Sequence, residues 1–240
     1  MSPSVCEIVA AAVPAAAALP VLVVTGVARE AKIAAGPSVE TICSGGVPAR
    51  LRAMLDARPE PACRAVVSFG VAGGLDPSLH PGDIVLATKV VTEDGEWAAD
   101  AALNETLQSA LNVDNRLRTI QAPLAGVDLA LVCKISKRNT WENSGAAAVD
   151  MESHIAAEYA AKHGLPFAAI RVVCDPAHRG LPDLVATALK PDGSISLPGV
   201  FGSLARRPGQ IMDLIRLGRD ASIAFRSLGY VPASWGTAFS

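Results

Sequence analysis

Apolar and polar positions along this chain follow two periods, and the switch between them divides it into strands and helices. Val21–Thr25, Glu40–Cys43, Ala65–Phe69, Ile84–Val91, Ala146–Met151 and Phe167–Cys174 are short runs rich in apolar and β-branched residues, the pattern of strands covered on both faces. Leu51, Met54 and Leu55 recur at helical spacing behind Pro48, which suits a first helical position. Ala99–Leu111 and Gln210–Leu228 carry the same helical period. Gly126–Cys133 predicts a further strand, and Lys134–Asn143 a loop or short helix. Gly36-Pro37 and Arg58-Pro59 break the helices before them. The Pro- and Gly-rich passage Gly180–Gly202 is longer than an ordinary connection, as lids and binding segments often are. Strands alternating with helices over 240 residues, without internal repeat or domain boundary, predict one α/β domain spanning 1–240.

The stretch from Ala146 to Asp175 reads as strand, helix, strand. Ser153 is the expected N-cap of its helix, which runs to His163 and stops at Gly164 and Pro166. Parallel strands would deliver Glu152 and Asp175 to the same C-terminal edge, where open α/β sheets bind ligands. Glu152 is suited to accept two hydroxyl hydrogen bonds from a ribose diol, and Met151 beside it is able to pack on the sugar face. Burial of Asp175 would raise its pKa and equip it as a general acid. The segment Gly70-Val71-Ala72-Gly73-Gly74 predicts a glycine loop after a strand, able to bring backbone N–H groups close to a ligand. Its spacing matches neither the dinucleotide fingerprint nor a P-loop, which disfavours a dinucleotide-dependent oxidoreductase. In the first strand–helix loop, after Gly26, Glu30 is a candidate water-activating base and Arg29 a candidate phosphate ligand.

Composition narrows the field. The chain is 50% hydrophobic but 4% aromatic, so its core is built from Ala, Val, Leu and Ile. A net charge of −2, without a basic cluster, excludes a general nucleic-acid surface. The five cysteines are dispersed and lack a CxxC pair, and no histidines fall at i, i+4 on a predicted helix. Neither a disulfide framework nor a metal site is expected, and a reducing cytoplasm is. Residues 8–28 are almost wholly apolar, but Pro14, Pro20 and the Val21–Val24 run before Thr25-Gly26 favour a buried first strand over a membrane span.

Three stretches, SFGVAGGL…GDIVLA, AAVDMES and IRVVCDPA, together resemble the nucleoside phosphorylase superfamily, in the branch holding methylthioadenosine/adenosylhomocysteine nucleosidases. The tail from ALKPDGSISLPGVFGSLARRPGQ onward is similar to the hopanoid-associated phosphorylase subgroup. The resemblance implies a single-domain fold with a mixed central β-sheet flanked by helices on both faces. It also implies cleavage of the N-ribosidic bond of an adenosine-type nucleoside, adenosylhopane for that subgroup, with release of adenine. It implies no cofactor beyond phosphate as a co-substrate, and a homo-oligomer, most simply a dimer.

Transferred onto this sequence, the family pattern puts Met151 and Glu152 at the ribose, Asp175 at purine N7, and Val71, Ala72, Gly73 and Gly74 beside the sugar or the nucleophile. Two departures leave the nucleophile open between water and phosphate. The position of the nucleosidase base aligns with Ala31, one residue beyond Glu30, and a phosphate-binding arginine of the hexameric phosphorylases aligns with Ser68. The Ala31 position also admits a nucleoside-binding protein without catalysis. The segment Leu197–Leu204, with Arg206 and Arg207 behind it, is expected to meet the lipid moiety or, at most peripherally, a membrane surface.

Overall fold

The computed structural model describes residues 19–58, 62–111, 117–180 and 211–234. The Gly180–Gly202 passage beyond Gly180, the Leu197–Leu204 segment with Arg206 and Arg207, and residues 8–18 lie outside the described residues. Eight strands and six α-helices are found among those described. They are β1 (Val21–Thr25), α1 (Ala28–Ala34), β2 (Val39–Cys43), α2 (Pro48–Asp56), β3 (Ala65–Gly74), β4 (Ile84–Val91) and β5 (Glu96–Ala98). There follow α3 (Ala101–Leu111), β6 (Thr119–Gly126), α4 (Lys134–Ser144), β7 (Ala148–Asp150), α5 (Ser153–Lys162), β8 (Phe167–Asp175) and α6 (Ile211–Leu228). No described helix is long and apolar enough to cross a membrane.

The strands form one mixed sheet in the order β2-β1-β3-β7-β6-β4-β5, and β8 pairs with both β3 and β4. Strands β3, β7, β6, β4 and β8 therefore close into a ring, while β1 and β2 extend from it. Both faces are covered, as the unbroken apolar runs predicted. On one face Leu22, Val24, Val66, Val85 and Ala169 pack with Leu51 and Leu55 of α2 and Ile155–Ala157 of α5. On the other, Val21, Val23, Val67, Ile84 and Ile170 pack with Leu107 and Leu111 of α3 and Ala224 and Leu228 of α6. The period of two in β1 explains this division, since alternate residues point to opposite faces.

Three expectations need correction. The strand expected at Gly126–Cys133 lies earlier, at Thr119–Gly126, where it joins β4 in parallel register, and Lys134–Ser144 is a full helix. The glycine segment 70–74 is not a loop: it is the second half of the ten-residue β3. Strands β7 and β8 are not parallel neighbours. They lie on opposite flanks of β3, β7 antiparallel to it through Gly73 and Gly74, β8 parallel to it from Val66 onward. Gly73 thus has Val149 on one side and Asp175 on the other. The β8 register skips Cys174 at this point, and such a bulge re-aims the next side chain, here Asp175. The acids converge because one strand serves both neighbours, rather than because two strands share a direction.

Candidate active site

The carboxylate-bearing ends of these elements surround a cavity of about 490 Å³. Its floor is β3 (Val71, Ala72, Gly73) with Gly26, Val27 and Gly46, and one side is Val149, Asp150, Met151 and Glu152. Cys174 and Asp175 close the β8 side. An apolar wall comes from Val127, Ala130 and Leu131 with Leu214, Leu217, Gly218 and Ala221 of α6. Glu30, Asp150, Glu152 and Asp175 all line it, and no lysine or arginine does among the described residues.

Glu30 reaches the cavity because α1 starts directly after β1. As the third residue of that helix, it folds back so that Oε2 accepts the N–H groups of Gly26 (2.8 Å) and Val27 (2.9 Å). Its other oxygen, Oε1, accepts the N–H of Val71 at 2.8 Å. Ala31, the next residue of α1, does not line the cavity. Burial pushes the Glu30 carboxyl up, opposed by Arg171 and by the three backbone donors. Gly70 makes the approach feasible: a Cβ there would sit 2.6 Å from Glu30 Oε1 and 2.7 Å from Arg171 Nη1.

Arg171 is the buried hub. A guanidinium inside an apolar strand must satisfy its donors locally. Its Nη2 donates to Ser68 Oγ (2.6 Å), Nε to Ser153 Oγ (3.2 Å) and Nη1 to Val71 O (3.4 Å). Nε also lies 3.2 Å from Asp150 Oδ2, and Nη2 3.4 Å from Glu152 Oε2. Asp150 in turn accepts the N–H groups of Glu152 (2.8 Å) and Ser153 (2.6 Å). This corrects the N-cap assignment: Glu152 holds the cap position, Ser153 is the first helical residue, and Asp150 accepts the first of the free helical N–H groups of α5. At the other end Leu165 N–H bonds Ala160 O and Gly164 N–H bonds Ala161 O, with Gly164 at φ 62°, the glycine stop expected there.

Glu152 is held at its backbone while its carboxyl faces the cavity. Burial raises its pKa to about 7; Arg171 pulls against this, and Asp150 and Glu30 add to it. Gly26 lies so close that a Cβ there would be 2.7 Å from Glu152 Oε1. Asp175 is 13% exposed at its side chain and is gripped by Lys137 of α4, whose Nζ donates to Oδ2. Burial raises the Asp175 pKa and Lys137 opposes the rise. Cys174, half-buried beside it, is pushed up to about 12 by desolvation and has no reactive thiolate.

The structure thus brings together Glu30, Gly26, Val71, Ala72, Gly73, Met151, Glu152 and Asp175. Two expected site residues fall elsewhere. Arg29 points away from the cavity, its guanidinium 4.2 Å from the Phe225 ring centre, because successive helix residues face different sides. Gly74 does not line the cavity; it pairs with Ala148 in the sheet. Arg171, Asp150 and Lys137 are not among the site residues that the sequence predicts. A charge within the apolar run FAAIRVVC was the available signal for Arg171, and Asp150 sat inside a motif read only for its neighbours. Lys137, in a stretch of ambiguous period, had none.

With this geometry in place, the chain belongs to the Phosphorylase superfamily, whose pattern it matches over residues 20–190. Among solved structures it is similar to a 5'-methylthioadenosine/S-adenosylhomocysteine nucleosidase from Helicobacter pylori, with TM-score 0.65 and 14% identity over 92% of this chain and 98% of that one. It is similar also to the corresponding nucleosidase from Neisseria meningitidis in complex with methylthio-immucillin-A (TM-score 0.63, 16% identity, 89% and 98% covered). A third is a futalosine hydrolase of Helicobacter pylori (TM-score 0.61, 14% identity, 89% and 97% covered). These likenesses establish a shared fold. In sequence, 41 residues are 54% identical to the 5'-methylthioadenosine/S-adenosylhomocysteine nucleosidase of Mycobacterium bovis, a stretch spanning 17% of this chain and 16% of that relative.

Proposed function

We propose that this protein cleaves the N-ribosidic bond of an adenosine-type nucleoside with water, releasing adenine. The supporting observation is one cavity on which Glu30, Glu152 and Asp175 converge and which no lysine or arginine lines among the described residues. As the C1′–N9 bond breaks, its electron pair passes to the purine and N7 takes the proton of Asp175. The sugar passes through an oxocarbenium-like state, held by its hydroxyls on Glu152 with Met151 against its face. A water forms the new bond to C1′ and gives its proton to Glu30, whose raised pKa makes it a stronger base than an exposed glutamate.

Water is preferred to phosphate on electrostatic grounds. A phosphate dianion needs cationic or backbone donors that are free to turn to it. The donors of Arg171 are spent on Ser68, Ser153, Val71 and the acids, and Arg29 lies over Phe225. The carboxylates that are ionised in the cavity, with Glu30 as the base among them, oppose a further anion. The nucleoside's 5′ substituent is proposed to be apolar, as in adenosylhopane, because the wall formed with α6 offers Leu214, Leu217 and Ala221. The test is incubation with 5′-methylthioadenosine and with adenosylhopane, each with and without phosphate, followed by chromatography of the products. Free adenine with a 1-hydroxy sugar, independent of phosphate, is expected, with adenosylhopane turned over faster. A phosphate requirement and a sugar 1-phosphate would make it a phosphorylase; binding without adenine would make it a binding protein.

A further inference from the structure

The chemistry proposed above gives no part to Lys137, yet its placement is costly. Helix α4 carries polar and charged side chains over most of its surface, and Lys137 is its only buried residue, with the side chain 1% exposed. Beneath the end of β8 its ammonium donates to Asp175 Oδ2, to the Asp175 carbonyl (3.2 Å) and to the Pro176 carbonyl (3.1 Å). Three acceptors match the three donors of an ammonium, so the group is saturated and pinned. As an anchor for α4 alone, an apolar residue would avoid the desolvation of a charge.

We propose that Lys137 is the positioning residue for the leaving-group acid: it clamps Asp175 through Oδ2 and leaves Oδ1 to carry the proton delivered to the purine. This rests on the reading of Asp175 as that acid. Lys137 touches no reacting atom. It restricts the rotation of the carboxyl and offsets the rise in pKa that burial imposes, so that the acid releases its proton more readily. Among the described residues, the other titratable or charged groups acting on Asp175 or its neighbour are Cys174 beside it and Arg179, which pairs with Asp220 of α6.

The test compares Lys137→Met and Lys137→Arg with the wild type on two substrates. One is 5′-methylthioadenosine, whose adenine must be protonated to leave; the other is p-nitrophenyl riboside, whose leaving group needs no proton. Lys137→Met is expected to lower kcat on the nucleoside on the order of 100-fold, the scale of a misplaced catalytic group, with nitrophenyl riboside hydrolysis essentially unchanged. Without the ammonium, Asp175 keeps its proton to higher pH, so the alkaline limb of the remaining nucleoside activity moves upward. Lys137→Arg keeps the charge but not the fit: it slows the nucleoside selectively and leaves that limb in place. Equal losses on both substrates in either variant, or full nucleoside activity in Lys137→Met, would overturn the proposal. A wild type that cleaves neither substrate would instead refute the reading of the site itself.

Discussion

Replacing Glu152 with glutamine separates the stability of this site from its use. The carboxyl is 8% exposed, stands among Asp150 and Glu30, and has Arg171 Nη2 3.4 Å away. Burial outweighs that cation and lifts its pKa from 4.5 to about 7. Between those values the folded protein holds a proton that the unfolded chain has released, so stability falls as pH rises through the window. Each pH unit in it costs about 1.4 kcal/mol, roughly 3 kcal/mol in all. Glutamine has no proton to lose. Glu152→Gln should therefore match the wild type at pH 4.5 and exceed it at pH 8 by about 3 kcal/mol, or roughly 6–12 °C in Tm for a chain of this size. Urea and thermal unfolding followed by circular dichroism at both pH values measure the gap. Glu30 and Asp175 titrate in both proteins, so the difference reports Glu152 together with its coupling to Glu30. The same variant should lose nucleoside turnover, because an amide cannot accept two hydroxyl hydrogen bonds in the manner of a carboxylate. A stability gap independent of pH would refute the reasoning and mean that Arg171 keeps Glu152 ionised throughout.

Two further substitutions probe the rest of the cavity. Asp175→Asn should reduce adenine release about 10²–10⁴-fold with unchanged circular dichroism, read by single-turnover assay; near-normal release would remove Asp175 from its assigned role. Arg171→Met strips the cation from between Asp150 and Glu152 and should cost about 3–5 kcal/mol at pH 8. The loss should shrink at pH 5, where Glu152, its pKa raised by burial, is protonated and no longer a buried charge, and denaturant titration at both pH values measures it.

The layout of this fold was legible because burial leaves a periodic trace. Val21–Thr25 is buried throughout, and the buried stretches Ile84–Ala87 and Phe167–Ile170 of two further strands likewise appear as apolar runs. Glycine and proline marked where helices start and stop, as Gly164 and Pro48 do here, because φ restrictions act within a residue or two. The same locality limits what can be read. Strand direction across β3 left no trace, since an apolar run looks alike in parallel and antiparallel pairing, and so the route by which Glu152 and Asp175 meet was misjudged.

Local pattern was enough to define the class of fold and to single out several of the acids, Glu152 and Asp175 among them. How their charges are set depends on packing between distant elements. That packing turned Glu30 into the cavity and Arg29 out of it, though the two are adjacent in the chain. It set Arg171 against Asp150 and Glu152, and brought Lys137 from a distant helix to Asp175. Charge interactions inside a protein depend on distances and burial between residues far apart in the chain, and no local pattern encodes either.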